Sequence, residues 1–198
     1  MLNNHHPGLL AAFLCAVLVT GCASRPVPAS LQQTALRNQL LQLQDNIAAD
    51  EATRLAEAAL EKSAALAAAY RAVWPPWLHN NLVNAGLRER GLCYHWANDL
   101  FAHLQSLNLQ SLELHLAVAR MDTGREHNAI VVTASRHPFA QGIVLDAWRH
   151  SGRLWSGGVA TDKYPWQPLP RDRVAPELEK FFALEGPADD SSSPRAVK

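Results

Sequence analysis

The chain has 198 residues, 48 % of them hydrophobic and 18 % charged, which is enough apolar material for a single domain with a modest core. Lys and Arg number 18 and Asp and Glu also 18, so the formal net charge is zero. A balanced chain gathers no polyanion by its overall field, which argues against nucleic-acid binding and against attachment to an acidic membrane surface by net charge.

Residues 9–19 form an apolar run that is too short to cross a bilayer but suits the core of a secretory signal. No Lys, Arg, Asp or Glu precedes residue 23. The run ends in Val19-Thr20-Gly21-Cys22, which resembles the lipobox of bacterial lipoproteins. That resemblance implies that residues 1–21 leave as a signal peptide and that Cys22 is acylated, with palmitate among the expected chains. Its stable hold on the bilayer requires more than one chain. With Ala23 next, it further implies an outer-membrane lipoprotein facing the periplasm. An uncleaved apolar anchor is the alternative. If Cys15 departs and Cys22 carries lipid, Cys93 is the one free thiol of the mature chain. Such a thiol is either buried and inert or kept for its reactivity.

Residues 22–29, with Pro26 and Pro28, read as a tether. Residues 30–75 read as helical, since neither proline nor glycine occurs between Pro28 and Pro75. Leu36, Leu40, Leu43 and Ile47 recur on one helical face, and Asp50 is placed to cap a second helix running through Leu55, Ala59, Leu66 and Tyr70. A helical hairpin folded onto the domain is expected; one unbroken helix of about 60 Å, forming a stalk, is the alternative. The stripe over residues 30–73 serves as core or, less readily, as a surface for a protein partner.

The remainder, residues 76–185, reads as a core of two helices and a sheet. Residues 77–85 suit a short helix closed by Gly86, and Gly91 precedes a second one opened by Cys93. Strands are expected at 112–118, 128–133 and 143–148, with a fourth at 153–156, and residues 186–198 read as a disordered tail. The fold class is therefore α+β, N-terminal helices followed by an antiparallel sheet.

A cysteine opening the last helix, a histidine beginning a strand and an acid near the end of a later strand form a recognisable order. Gly91-Leu92-Cys93, Glu126-His127-Asn128 and Leu145-Asp146-Ala147 carry it. Over residues 76–156 the chain resembles the papain-like superfamily, and within it the transglutaminase-like and bacterial transglutaminase-like cysteine proteinase branch. The resemblance implies a papain-like or transglutaminase-like core with Cys93, His127 and Asp146 as its catalytic residues. Each position also has a physical reason. A thiol at a helix N-terminus feels the positive end of the backbone dipole, which favours the nucleophilic thiolate. His127 would pair with it and shuttle the proton, and Asp146 would fix the ring's tautomer.

The backbone amides of Cys93 and Tyr94 are candidates for holding an oxyanion, with side-chain candidates in Asn80, Asn81 and Trp77. Cys93, His95, His115 and His127 lack any CxxC or HExxH spacing, so no metal and no cofactor is expected. Trp148, Trp155, Tyr164 and Trp166 suit either a substrate groove or core. Arg149 and Arg153 are alternative partners for Asp146, and the segment 149–152 either binds a substrate carboxylate or closes a hairpin. The expected function is an envelope thiol enzyme acting on amide bonds through an acyl-thioester, as peptidase, amidase or transamidase, with peptides or cell-wall peptides as substrates. The alternative is a non-catalytic lipoprotein using the same fold for binding or scaffolding.

Overall fold

A computed structural model describes residues 28–182, so the signal segment, Cys22, most of the tether and the C-terminal tail expected from the sequence lie outside the described residues. Four α-helices precede a five-stranded antiparallel sheet: α1 (Ala29–Leu41), α2 (Ala49–Ala69), α3 (Pro76–Asn84) and α4 (Cys93–Gln105), then β1 (Leu112–Ala119), β2 (His127–Ala134), β3 (Ile143–Asp146), β4 (Trp155–Gly158) and β5 (Trp166–Pro168). The spatial order of the strands is β4-β3-β2-β1-β5. This is the α+β arrangement expected from the order of helical and alternating segments. None of the described helices is long and apolar enough to cross a membrane.

Alternation along the strands assigns each side chain to a face. On one face Leu112, Leu114, Leu116, Ile130, Val132, Ile143 and Leu145 join Leu36, Leu40, Leu55, Leu66, Leu100 and Leu104 of α1, α2 and α4 in one core. The N-terminal helices are thus part of the same core as the sheet. Ala52, Ala56 and Ala59, all fully buried, let α2 approach closely. On the other face Ala117, Ala119, Ala129, Val131 and Val144 meet Val159 and Trp166 in a smaller cluster.

Several local expectations shift. Ala29, placed in the tether, is already in α1. The chain breaks at residues 42–48 into two helices, and Leu43 and Ile47 pack on the core from the turn between them. Asp50 does not cap α2; Ala48 occupies that position and Asp50 lies in the first turn. The anchor of this end comes instead from far along the chain. Glu51 accepts hydrogen bonds from Gln110 N (2.7 Å), Ser111 N (2.8 Å) and Ser111 Oγ (2.7 Å), while Ala48 N donates to Ser111 Oγ at 3.1 Å. The third strand stops at Asp146, the fourth is displaced to Trp155–Gly158, and a fifth, β5, pairs with β1.

Candidate active site

Cys93 is the first residue of α4, and the loop before it is held from three sides. His79 of α3, 2 % exposed, donates its Nε2 proton to Arg90 O at 3.0 Å. The same ring lies where a Cβ on Gly91 would be, 2.0 Å from Nε2, and Gly91 has φ +124°, so both space and backbone conformation demand glycine. Trp96 Nε1 donates to Gly91 O at 2.8 Å. His95 Nδ1 accepts from Gly91 N and Leu92 N at 3.1 and 3.2 Å, which an imidazole does only when neutral. Burial, with the nearby Arg90 cation, holds the His95 pKa below its ordinary value against the opposing Asp99 and Glu177.

His127 begins β2 and Asp146 ends β3, both on the sheet face away from the helices. The register puts Ile130 opposite Leu145, which makes His127 and Asp146 diagonal neighbours. His127 Nε2 lies 2.7 Å from Asp146 Oδ2, with side chains 4 % and 0 % exposed. Burial alone would push the imidazolium pKa down. The Asp146 charge and hydrogen bond, joined by a hydrogen bond and charge from Cys93, outweigh it and raise His127 to about 9. Asp146 is buried, which favours its neutral form, yet His127 and Arg149 hold its carboxyl below the usual range.

The helix N-terminus meets the sheet at the start of β2. There the half-buried Cys93 thiol lies close enough to His127 to help raise the imidazole's pKa, while Nε2 of the ring is taken by Asp146. Its sulfur also lies 3.9 Å from Glu126 O and 3.8 Å from Asn128 Nδ2. The three side chains singled out in the sequence therefore converge. Asn128 is an addition: it points to the helix face of β2, and its amide nitrogen lies 3.8 Å from the sulfur. Its only sequence signal was its place next to His127.

Of the side-chain oxyanion candidates, Asn80 is tied to the site, its Oδ1 accepting from Trp148 Nε1 at 3.0 Å. Asn81 is exposed and Trp77 is 61 % exposed, so neither is held at the thiol. The first-turn amides of α4, Cys93 and Tyr94 among them, have no intrahelical acceptor. His115 pairs with Thr133 Oγ1 at 2.9 Å and His95 is engaged in its loop, so the imagined metal set of Cys93, His95, His115 and His127 is not assembled. Among the described residues, no group of three or more metal-ligating side chains is brought together.

Arg149 does not reach for a substrate carboxylate. Its backbone N and Nε donate to Asp146 Oδ1 and Oδ2, each at 2.9 Å, and its two terminal nitrogens grip Asp162 at 3.1 and 2.6 Å. Asp162 also accepts from Trp166 Nε1 at 2.7 Å. Arg153 plays no part in this network; it lines a separate cavity with His150 and Trp155. The aromatic residues form a wall around the histidine. Trp148, Tyr164 and Trp166 have ring centroids 4.7, 4.8 and 5.3 Å from His127, and Trp155 lies 3.6 Å under the Arg149 guanidinium. They shield the ion pair from water, which strengthens it. Beside the thiol, Tyr94, Asn98, Glu126 and Asn128 line an open cleft of about 280 Å³ that continues to Arg90 and Glu177.

Comparison of the chain with protein-family models, curated proteins and solved structures finds no match.

Proposed function

We propose that Cys93, His127 and Asp146 form a thiol site that acts on amide bonds, on a core of the papain-like or transglutaminase-like kind. The observation that carries this reading is the buried 2.7 Å His127–Asp146 pair with the half-buried Cys93 sulfur 3.9 Å from Glu126 O and 3.8 Å from Asn128 Nδ2, the two residues that flank the histidine. His127 is cationic at neutral pH, so it can stabilise a thiolate and give up a proton.

In the first half-reaction the Cys93 sulfur attacks the amide carbonyl carbon and the C–N bond breaks. The leaving nitrogen takes the His127 proton, and an acyl-thioester remains on the sulfur. The amides of Cys93 and Tyr94, with Asn128 as the side-chain donor beside the sulfur, would hold the oxyanion. In the second half, His127 takes a proton from water or an amine, which attacks the thioester and releases Cys93. Water makes the protein a peptidase or amidase; an amine makes it a transamidase. The open cleft beside the thiol is where this reading puts a peptide substrate, cell-wall peptides included. Together with the lipobox-like segment, the reading is of an outer-membrane lipoprotein whose domain faces the periplasm, held by acyl chains on Cys22.

The test is alkylation of Cys93 by iodoacetamide in the folded protein near neutral pH. Rapid labelling that falls about 10²-fold in His127→Ala supports a working pair. A double variant Cys93→Ala with His127→Ala no worse in turnover than Cys93→Ala alone shows that the two act as a unit. Labelling that needs denaturant, or that ignores the loss of His127, overturns the catalytic reading and leaves a binding module on the same fold.

A further inference from the structure

A second cleft, of about 410 Å³, opens on the other side of Arg90, between the C-terminal part of α2 and the loop that follows α3. Its wall carries Lys62, Arg71, Arg88 and Arg90 against only two acids, Glu89 and Asp99. One acid is already spoken for: Asp99 accepts from Arg90 at 2.7 Å and from the Tyr70 hydroxyl at 2.5 Å. Lys62 and Arg71 have no ion-pair partner among the described residues. Arg88 gives one terminal nitrogen to the neighbouring Leu87 O at 2.9 Å, while its Nε is buried with no acceptor among the described residues. A buried guanidinium N–H without an acceptor is costly, and a site that binds an acceptor removes the cost. Arg71 is exposed in the turn that closes α2, where Arg71 N donates to Ala68 O and Ala72 N to Ala67 O.

We propose that this cleft is a binding site for a multiply charged oxyanion, phosphate or carboxylate, held by Arg88, Arg71 and Lys62 with Arg90 at its inner edge. The zero net charge of the whole chain conceals it, because a field of this kind is local. Arginine supplies the planar fork that such groups prefer, and Lys62 a movable point charge. Arg90 also lines the cleft beside Cys93, so a ligand could extend from one to the other, but the binding claim does not depend on the thiol being active. The oxyanion reaches the cleft either on a soluble molecule or as the headgroup of an anionic lipid.

The experiment uses the full chain in neutral detergent or reconstituted with lipid, and reads binding alone. Pyrophosphate and citrate are titrated calorimetrically, and partitioning onto phosphatidylglycerol vesicles is compared with phosphatidylcholine, for the wild type and for Arg71→Gln with Arg88→Gln. A saturable soluble-anion isotherm that weakens about 10-fold or more in the double variant identifies a soluble ligand. A preference for phosphatidylglycerol that the variant alone loses identifies a headgroup. Lys62→Gln, at a half-buried position on a long helix, gives the same comparison with a smaller loss should the arginine variant unfold. Wild-type and variant proteins that behave alike toward all of these probes overturn the proposal.

Discussion

The two faces of the sheet are built on opposite principles. The face under α1, α2 and α4 is dry: aliphatic side chains, small alanines and the rings of Tyr70, Trp96 and Phe101 fill it, and its polar anchor, Glu51, sits at the rim. The opposite face has a small apolar cluster and then a chain of alternating charges, His127, Asp146, Arg149 and Asp162, roofed by Trp155, Tyr164 and Trp166. The first face derives its strength from area, which is additive and forgiving. The second derives it from pairing, in which each charge is tolerable only because its neighbour is present.

The sharpest way to break this comparison is Arg149→Gln. The Arg149 side chain is 9 % exposed and its partners Asp146 and Asp162 are 0 % and 3 % exposed, so its loss takes the shared cation from two buried carboxylates. A destabilisation of about 3–5 kcal/mol is expected in urea unfolding, with slower alkylation of Cys93 in the protein that remains folded. A cost below about 1 kcal/mol would show that the polar face relaxes as easily as an exposed one. On the dry face, Leu55→Ala, at a fully buried position, is expected to cost about 2–5 kcal/mol while leaving the rate of Cys93 alkylation unchanged. Similar losses of stability with opposite effects on the thiol would separate scaffold from site.

The charged chain also has a pH signature that the dry face lacks. His127 is raised from 6.5 to about 9, so the stability it contributes is complete below pH 6.5, declines between the two values and is absent above 9. The amount is at most about 3 kcal/mol. Urea midpoints below pH 6.5 and above pH 9 are expected to differ by this contribution in the wild type and to converge in Asp146→Asn. An equal pH dependence in both proteins would mean that other groups are responsible.

The dry face was legible in the sequence because it follows simple periods. Leu36 and Leu40 repeat with a helix, and Leu114 and Leu116 or Ile130 and Val132 repeat with a strand. The order of Cys93, His127 and Asp146 was legible because each opens or closes an element. What surrounds them was legible only in part. Arg149 was readable as a partner for Asp146, but its second grip, on Asp162, is a fact of the loop between β3 and β4 that no period encodes. His95 looked like a stray metal ligand and is instead the acceptor that shapes the turn before Cys93. The break between α1 and α2 is fixed by Glu51 and Ala48 meeting Ser111 at the start of β1, a long-range contact with no local mark such as glycine or proline.

The smallest effect completes the comparison, since each side of the molecule has an Arg–Asp pair and only the surroundings differ. On α2, Arg54 lies 3.7 Å from Asp50, with side chains 44 % and 75 % exposed. Water screens that pair, and both side chains lose freedom in forming it, so its contribution is about 0.3–0.5 kcal/mol. Asp50 gains a little more from its place in the first helical turn, where a negative charge faces the positive end of the dipole. Asp50→Asn is therefore expected to lower stability by about 0.5–1 kcal/mol at low ionic strength, and by less at molar salt, where screening acts over about 3 Å. The Arg149–Asp162 pair, closed off from water at 2.6 Å, is expected to keep its contribution over the same range of salt. Measuring Asp50→Asn and Arg149→Gln in parallel at low and high salt thus isolates burial as the variable. If both respond to salt alike, the aromatic roof over the second face does not exclude water, and the strong pairing attributed to His127 and Asp146 would lose its physical basis.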